Sequence, residues 1–483
     1  MPTHYDVIIV GSGFAASFFL MRYLEHAPAE ARVLVLERGN DDSKPWQLAN
    51  RLHTSMDPDD IVDNETPGKE WYTSPGFGGN SKCWMGGTTR MMPGDFRLKS
   101  RYGVGVDWPV SYDELEVHYG TAEEVMQVSG PADSPMPRSR PFPLPPHRFS
   151  DPDALLKKHF PDGWYGMATA RASAPTATRG VCCASGICSL CPVDAKFTIQ
   201  NGLAHIYQDP RVTLQLRSEV QGVETAGGVA QAVVYAHAGA VRRDSADLIV
   251  LAASALFNPH ILLRSGFTHP LIGRRLHEQM PVYATLDLKG VKAYNGSTLL
   301  SGLGYLFYEG EHRRDHAACM IETWSSPFAY RPQDALRLES GRWNERLMIG
   351  FLFDDIPSEE NRVTVSPRNP SMARVHFGDY SEYAKRAADR VPQMIDKLAE
   401  ALPIERVFGT GLGTTAAHIQ GTVVMGDDPQ TSVVDRHLVH HDYRNLLVLG
   451  ASAYPTASPA YPTLTVSALS LWAADHILGR NAA

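Results

Sequence analysis

The N-terminal segment constrains the fold more than any other part of this sequence. Residues 5–24 read YDVIIVGSGFAASFFLMRYL, a pattern typical of a buried strand, a glycine turn and an apolar helix. The turn matches the G-x-G-x-x-G/A dinucleotide pattern, with alanine at the last position. There the first glycine permits the tight turn, the second lets the backbone approach a pyrophosphate, and the helix N-terminus attracts negative charge. The predicted cofactor-binding residues in this turn are Gly11, Ser12, Gly13, Phe14 and Ala15.

A second predicted strand follows the helix. Its sequence, RVLVLERG (residues 32–39), ends in Glu37 and Arg38. An acidic residue at this point is expected to bind the ribose hydroxyls of a dinucleotide, and its presence in place of an arginine disfavours a ribose 2′-phosphate. The alternative is a glycine turn in another kind of α/β unit. These residues alone leave both FAD and NAD open.

Length, composition and charge narrow the class of protein. With 483 residues, 43% of them hydrophobic and 20% charged, the chain is expected to form two globular domains. A net charge of −8 without a basic run argues against nucleic acid or an anionic membrane as partner, and favours a small-molecule substrate. No signal-peptide pattern and no apolar run of about 18 residues is visible. We therefore expect a cytoplasmic protein that does not span a membrane; the alternative is a periplasmic protein exported with a signal-bearing partner subunit.

Later segments complete the predicted architecture. A glycine-rich loop (77–96) and two strand–turn–helix patterns (245–266 and 445–478) are typical of the same nucleotide-binding domain. Residues 281–410 show strand-like alternation and then a helical pattern near 380–401, which predicts an inserted α+β domain built on an antiparallel sheet. The proline-dense stretch 131–147 is predicted to be a surface loop. The expected fold class is therefore α/β.

Several of these motifs, in this order, resemble the glucose–methanol–choline (GMC) family of flavin oxidoreductases. Within it the sequence is most similar to bacterial sugar and glycoside dehydrogenases and to pyranose-oxidase-like members. The resemblance implies a Rossmann-type FAD-binding domain like that of p-hydroxybenzoate hydroxylase. The motifs that carry it, beside the N-terminal turn, are GGNSKCWMGG (78–87), RSEV (217–220), IVLAASALFNPHILLRSG (249–266), LIGRRLHEQ (271–279), HIQGTVVMGDDPQTSVVD (418–435) and NLLVLGASAYPT…YPTLTVSALSL (445–471).

The resemblance also implies a division of the chain and a set of flavin contacts. The FAD-binding domain would comprise residues 1–100, 180–280 and 411–483, and the substrate-binding domain residues 101–179 and 281–410. FAD would lie buried between them. Besides the glycine turn, the implied flavin-binding residues are Glu37, Arg38, Gly79, Ser81, Trp84, Gly86, Gly87, Thr88, Val220, Ala253, Gly450, Ala451, Tyr461 and Thr463.

His418 is the predicted catalytic base. It stands in AAHIQGT, which matches the H-x-x-G-T histidine of the family. The chemistry suits the role, because an imidazole that titrates near neutrality can accept the proton of an alcohol. The alternative is a buried structural histidine that is hydrogen-bonded to the backbone.

Tyr461 departs from the family pattern. The family carries Asn or His directly before the Pro-Thr of its last motif, whereas this chain reads Ala460-Tyr461-Pro462-Thr463. A phenol stays neutral and could orient the substrate hydroxyl by one hydrogen bond. It is also larger and could narrow the pocket. The alternative is that Tyr461 packs into the core while a neighbouring residue makes the contact.

Four of the six cysteines lie within ten residues, in GVCCASGICSLCPVDAK (180–196). The spacing C-C-x4-C-x2-C-P is typical of iron–sulfur loops. In some multi-subunit sugar dehydrogenases of the resembled family this segment ligates a [3Fe–4S] cluster. The alternatives are free thiols or a disulfide, and a zinc site. The candidate ligands are Cys182, Cys183, Cys188 and Cys191.

The expected function follows from the resemblance. We expect FAD-dependent oxidation of a CH–OH group of a sugar or glycoside, with hydride transfer to flavin N5 and proton transfer to His418. Electrons would pass to an acceptor other than O₂, by way of the cysteine segment and together with a small partner subunit and an acceptor protein. The rivals are an oxidase that forms H₂O₂ and a non-oxidative flavin reaction, the latter because position 461 is Tyr. Cys83 stands where some members carry a flavin-linked histidine, and a free buried cysteine is the alternative to covalent attachment.

Overall fold

The apolar N-terminal run forms the middle of a seven-stranded sheet. The computed structural model describes residues 3–326 and 341–480. β1 (His4–Val10) lies between two parallel neighbours, β2 (Val33–Leu36) and β8 (Ala240–Leu251), and α1 (Phe14–His26) connects β1 to β2. The strand order β5-β2-β1-β8-β7-β6, with β16 paired to β8, confirms the predicted α/β class. The remaining strands are β5 (Val212–Gln215), β6 (Ser218–Ala226), β7 (Val229–His237) and β16 (Leu446–Val448).

Three helices pack together and share one buried core with this sheet. α10 (Pro462–Ile477) packs against both α1 and α4 (Tyr112–Met126). Leu115 and Tyr119 of α4 belong to the same buried core as β1, although α4 lies in the range 101–179 that was assigned to the substrate domain. The exact domain limits stay a prediction. The other helices are α2 (Lys44–Asn50), α3 (Leu98–Tyr102), α5 (Asp151–His159), α6 (Ile199–Gly202), α7 (Ser254–Arg264), α8 (Glu382–Ala388) and α9 (Val391–Leu398).

The expected antiparallel sheet has six strands, in the order β15-β9-β12-β11-β10-β4. Because successive side chains of a strand point to opposite faces, Ile321 packs into the core that includes α8 and α9, whereas Met320 and Trp324 pack on the other face with Tyr461. The same alternation directs Glu322 toward Tyr461. The strands are β4 (Trp164–Gly166), β9 (Met280–Leu288), β10 (Leu300–Phe307), β11 (Cys319–Trp324), β12 (Arg346–Phe353) and β15 (Ile404–Leu412).

A small third sheet joins the two regions. β3 (Val62–Asn64) pairs in parallel with β14 (Ala373–His376), which pairs antiparallel with β13 (Arg362–Val365). β3 comes from the predicted FAD-binding range, and β13 and β14 come from the predicted substrate-binding range. In the described parts of the chain, no helix combines the length and the apolar character needed to cross a membrane.

Candidate active site

Gly11 and Gly13 serve different purposes in the glycine turn. Gly11 has a φ of +101°, and a Cβ on it would lie 2.5 Å from the carbonyl oxygen of Ala252, so a side chain does not fit. A Cβ on Gly13 would meet no atom within 4 Å. Gly13 caps α1 without any side-chain cap bond, and the first turn of α1 holds no acidic residue. The first amide groups of α1 therefore face open space, which fits a pyrophosphate.

Glu37 holds three loops together at the end of β2. Its carboxylate accepts hydrogen bonds from the Ser12 hydroxyl at 2.7 Å, the Gly39 amide at 3.0 Å and the Gly76 amide at 2.9 Å. A carboxylate offers about four lone-pair sites, so one remains for a ribose hydroxyl. The residue stands where a ribose contact is expected, and it also shapes the loop around the cofactor site.

The first part of the glycine-rich loop (77–96), up to Thr88, runs from the N-terminal turn toward Tyr461. At its start, the Gly78 amide donates to the Ser12 hydroxyl at 3.2 Å. In its middle, the indole of Trp84 packs edge-on against Phe14, with ring centroids 4.7 Å apart. At its end, a Cβ on Gly87 would lie 2.6 Å from the Tyr461 ring. The structure thus places one set of predicted flavin-binding residues along a single path: Gly79, Ser81, Trp84, Gly86, Gly87 and Thr88.

Three of the remaining predicted flavin residues, Arg38, Ala253 and Gly450, each follow closely on the carboxyl end of a strand of the same sheet. Arg38 lines an open cleft of about 590 Å³ together with Glu219, the neighbour of Val220. That volume is in the range of small-molecule sites. A Cβ on Gly450 would lie 3.7 Å from the Cβ of Ala15, so the turn at Gly450 and Ala451 adjoins α1. Ala253 caps α7, and Thr463 lies in the first turn of α10. These residues fit FAD, which they would hold between the glycine turn and Tyr461.

His418 is a half-buried imidazole with one fixed partner. Its Nδ1 lies 2.9 Å from Oε1 of Gln279. Among the described residues, no partner is recorded for Nε2 of this ring. Burial lowers the pKa of His418 to about 4, so the imidazole is neutral at pH 7. A neutral imidazole with an unoccupied nitrogen has the chemistry of a general base.

The loop that carries His418 is held by a buried carboxylate. Glu278 accepts hydrogen bonds from the Thr415 hydroxyl at 2.8 Å and the His418 amide at 3.4 Å. The same carboxylate is paired with the Lys69 ammonium and accepts a bond from Tyr380 at 3.1 Å. Glu278 and Gln279 fall in the motif LIGRRLHEQ, but the sequence assigned neither of them a role. No local signal points to them, because their partners lie far along the chain.

Tyr461 faces His418 and a carboxylate of the antiparallel sheet. The centroids of the His418 and Tyr461 rings are 5.4 Å apart. The phenolic hydroxyl donates to Glu322, and the indole of Trp324 donates to the other carboxylate oxygen at 3.0 Å. Burial raises the pKa of both Glu322 and Tyr461. The sequence missed Glu322, which lies on the sheet face that packs with Tyr461.

The four clustered cysteines are not gathered into a ligand set. Cys188 and Cys191 are buried, Cys182 is half-buried and Cys183 is exposed, and all of them are free thiols. Within residues 3–326 and 341–480, no three histidine, cysteine or acidic side chains are arranged to hold a metal ion. The thiols as placed do not fit a [3Fe–4S] cluster or zinc, and we derive no electron-transfer step through one.

Two buried cations nevertheless lie beside this segment. The Lys196 ammonium donates to the carbonyls of Lys82 and Trp84 at 2.8 Å and of Ser189 at 3.2 Å, and burial lowers its pKa to about 8. Arg171 donates to the Thr298 hydroxyl at 2.6 Å. Both cations counteract the rise in the pKa of Cys188 that burial causes. Lys196 therefore connects the cysteine segment to the glycine-rich loop.

Cys83 lies in the glycine-rich loop as a half-buried thiol. Its Sγ donates to the carbonyl of Asn80 at 3.5 Å. Burial raises its pKa, which disfavours the thiolate that attack on a flavin would need. The environment thus favours the free thiol.

Comparisons with known proteins show what the chain is similar to. Family models described as GMC oxidoreductase match residues 163–281 and 357–470. The chain is 26% identical to the fructose dehydrogenase large subunit of Gluconobacter japonicus, over 98% of this chain and 97% of that one. It is 24% identical to the gluconate 2-dehydrogenase flavoprotein of Pantoea cypripedii, over 98% and 93% of the two chains. Pyridoxine 4-oxidase from Mesorbium loti superimposes with a TM-score of 0.68 at 18% identity, covering 98% of this chain and 99% of that chain, which shows the fold alone.

Proposed function

Because the chain belongs to the GMC oxidoreductase family, we propose that it oxidises a CH–OH group of a sugar or glycoside with His418 as the base. As a member of this family, the chain is an FAD-dependent oxidoreductase that acts on CH–OH groups. FAD, when bound, supplies the hydride acceptor at N5. The names of the two dehydrogenase relatives, which refer to fructose and gluconate, support the sugar part of the proposal.

The observation that carries the proposal is the state of His418. Its imidazole is neutral, its Nδ1 lies against Gln279, and its ring faces Tyr461. Nε2 is then the atom that takes the hydroxyl proton of the substrate, as hydride leaves the carbon that bears this hydroxyl. Tyr461 helps to hold the substrate beside this imidazole.

Anaerobic mixing of the flavoprotein with a panel of sugars and glycosides tests the reaction. We expect loss of the oxidised-flavin absorbance with at least one substrate, and loss of that reactivity by 10²-fold or more in His418→Gln. A flavin that stays oxidised with the whole panel would overturn the oxidation and favour the non-oxidative alternative. Full reactivity of His418→Gln would overturn the base assignment alone.

The electron acceptor is the second part of the proposal. We propose an acceptor other than O₂, and the naming of the two relatives as dehydrogenases supports this. Steady-state turnover with an artificial quinone or dye should exceed O₂ consumption. Fast H₂O₂ formation in air, unchanged by the dye, would instead establish an oxidase.

The cysteine segment and its partner are the third part. The buried charges of Lys196 and Arg171 oppose, without overcoming, the rise in the pKa of Cys188 that burial causes, and the placement of the thiols does not itself form a cluster. Iron and acid-labile sulfide in the purified protein would establish the [3Fe–4S] hypothesis, and clean flavin bands without iron would remove it. The Gluconobacter relative is named a large subunit, which supports a small partner subunit, to be sought by co-purification. We propose a cytoplasmic location, with export alongside such a partner as the alternative.

A further inference from the structure

We infer that Gln279 is a positioning residue that presents Nε2 of His418 to the substrate and fixes the position of His418 relative to Tyr461. The inference rests on the proposed role of His418 as the base. Gln279 is fully buried, directly before the first residue of β9. A buried carboxamide needs partners for all its polar atoms, so its contacts define its orientation.

The orientation of the carboxamide follows from two backbone carbonyls. Nε2 of Gln279 lies 2.8 Å from the carbonyl oxygen of Ser458 and 2.7 Å from that of Ala460. Carbonyl oxygens only accept hydrogen bonds, so the amide nitrogen must face them and Oε1 must face His418. The opposite flip would place an oxygen against two oxygens.

This orientation selects one tautomer of His418. Oε1 of Gln279 can only accept, so Nδ1 of His418 must carry the hydrogen across the 2.9 Å contact. The lone pair of the neutral ring then lies on Nε2. When Nε2 takes a proton, Nδ1 still donates to Oε1, so the same bond serves the ring before and after proton transfer.

Among the described residues, this neutral amide is the one side chain recorded as hydrogen-bonded to the His418 ring. Glu278 bonds the backbone amide of His418, and its charge is paired with Lys69 and shared with Tyr380. The phenol of Tyr461 is turned toward Glu322. Within residues 3–326 and 341–480 no carboxylate is recorded as bonded to the ring itself, and burial lowers its pKa.

The same amide also ties together two motifs of the site. Ser458 and Ala460 directly precede Tyr461, and the amide that fixes their carbonyls also holds the His418 ring. A displacement of Gln279 would therefore move the base and Tyr461 relative to each other. A residue that only filled space would have no such effect on the protonation of His418.

The test measures anaerobic flavin reduction as a function of pH in the holoenzyme. Gln279→Met removes the acceptor, and we expect the rate to fall about tenfold to a hundredfold, because the ring loses its fixed tautomer. Gln279→Glu keeps the size and places a carboxylate at Nδ1, which stabilises the imidazolium. The imidazolium in turn stabilises the carboxylate, although its second oxygen faces the carbonyls of Ser458 and Ala460. We expect its acidic limb, where the rate falls as Nε2 becomes protonated, to move up by about one pH unit or more from near pH 4.

Gln47→Met is the matched control. Gln47 is also buried, and its Nε2 donates two bonds, to the carbonyl of Asp42 at 2.6 Å and to Oε1 of Gln200 at 3.0 Å. We expect its acidic limb to stay where it is in the wild type. If Gln279→Met fails to bind flavin, the acidic limb of the pH–rate profile of Gln279→Glu still tests the inference.

The outcomes separate this inference from the proposed function. An unmoved acidic limb in Gln279→Glu, beside an inactive His418→Gln, overturns the role of Gln279 and leaves His418 as the base. Full activity of His418→Gln overturns the base assignment, and with it the premise of this inference.

Discussion

Tyr461 donates its phenolic hydrogen to the Glu322 carboxylate at 2.5 Å, from the N-terminus of α10 to the middle of β11. Two glycines make room for the pair. A Cβ on Gly87 would lie 2.6 Å from the Tyr461 ring, and a Cβ on Gly350 would lie 2.6 Å from Oε1 of Glu322. The residue that departs from the family pattern thus has a dedicated partner and a space shaped for it, which argues against a tyrosine that merely fills the core.

Tyr461→Phe should separate the hydrogen bond from the ring. It leaves the buried carboxylate of Glu322 with the single donor Trp324, and we expect a loss of about 1–3 kcal/mol in stability and about a tenfold slower flavin reduction. Tyr454→Phe is the control, because the buried Tyr454 hydroxyl donates to the carbonyl of Pro462 at 2.8 Å. Equal rates in the two variants would show that Tyr461 has no part in the reaction. Thermal unfolding and stopped-flow absorbance provide the measurements.

Gly13→Val should fold but bind FAD poorly. The added side chain meets no protein atom near Cβ, and Gly13 has an extended backbone with φ −77°, so the apo fold should tolerate it. The side chain would occupy the space before the helix N-terminus, and we expect the flavin Kd to rise about tenfold to a hundredfold. Flavin absorbance per protein, beside circular dichroism, measures both effects.

Gly409→Val controls for the Gly13 prediction, since a Cβ there also meets nothing within 4 Å. Its flavin content should match the wild type. Wild-type flavin content in Gly13→Val would place the pyrophosphate elsewhere.

Lys69→Met should destabilise the protein through Glu278. The substitution leaves a buried carboxylate without its ammonium, an effect of about 3–5 kcal/mol. Adding Glu278→Gln should restore part of the stability, because the carboxamide needs no counter-charge. Arg314→Met breaks an exposed pair with Glu311 and should cost less than about 1 kcal/mol. Denaturant midpoints give the comparison. A small loss of stability in Lys69→Met would mean that Glu278 is stabilised by its neutral donors alone.

Acid should destabilise the fold through buried histidines, of which His277 is the clearest. It is fully buried, and burial lowers its pKa to about 4 from an ordinary value of 6.5. Between these two pKa values the unfolded chain binds a proton at His277 that the folded chain does not bind. The contribution of neutral His277 to the free energy of unfolding is therefore complete above about pH 6.5 and is lost as the pH falls toward 4. The slope per histidine is at most about 1.4 kcal/mol per pH unit.

The variant His277→Gln should reduce the acid slope of the unfolding free energy between those two pH values. His205→Gln, at an exposed position, should leave the slope as in the wild type. Unfolding curves at several pH values decide, and identical slopes in all three proteins would assign the acid sensitivity to other groups.

How much of the site could be predicted depends on the distance over which each contact forms. The glycine turn and Glu37 were predictable, because a strand, a turn and a following strand lie close in sequence. The contacts of Gln279 with His418 and of Glu322 with Tyr461 each join residues 139 positions apart. They depend on how loops and sheet edges meet in three dimensions, which no local pattern encodes.

The cysteine segment shows the opposite case. Four thiols close in sequence suggested one ligand set, but Ala184, Gly186 and Asp194 all have left-handed backbone conformations. The resulting turns give the thiols environments that range from exposed to buried. Proximity along the chain therefore did not produce a set of thiols arranged to hold a metal ion.

The pairing of β3 with β14 restricts how a substrate reaches the flavin. The paired backbone positions Ala373–Val62 and Val375–Asn64 link the two regions through the main chain. A hinge that swung the regions apart would first have to break these main-chain bonds. We therefore expect a substrate to enter and leave by side-chain rotation and loop movement at the rim of the site, while this strand pairing is kept.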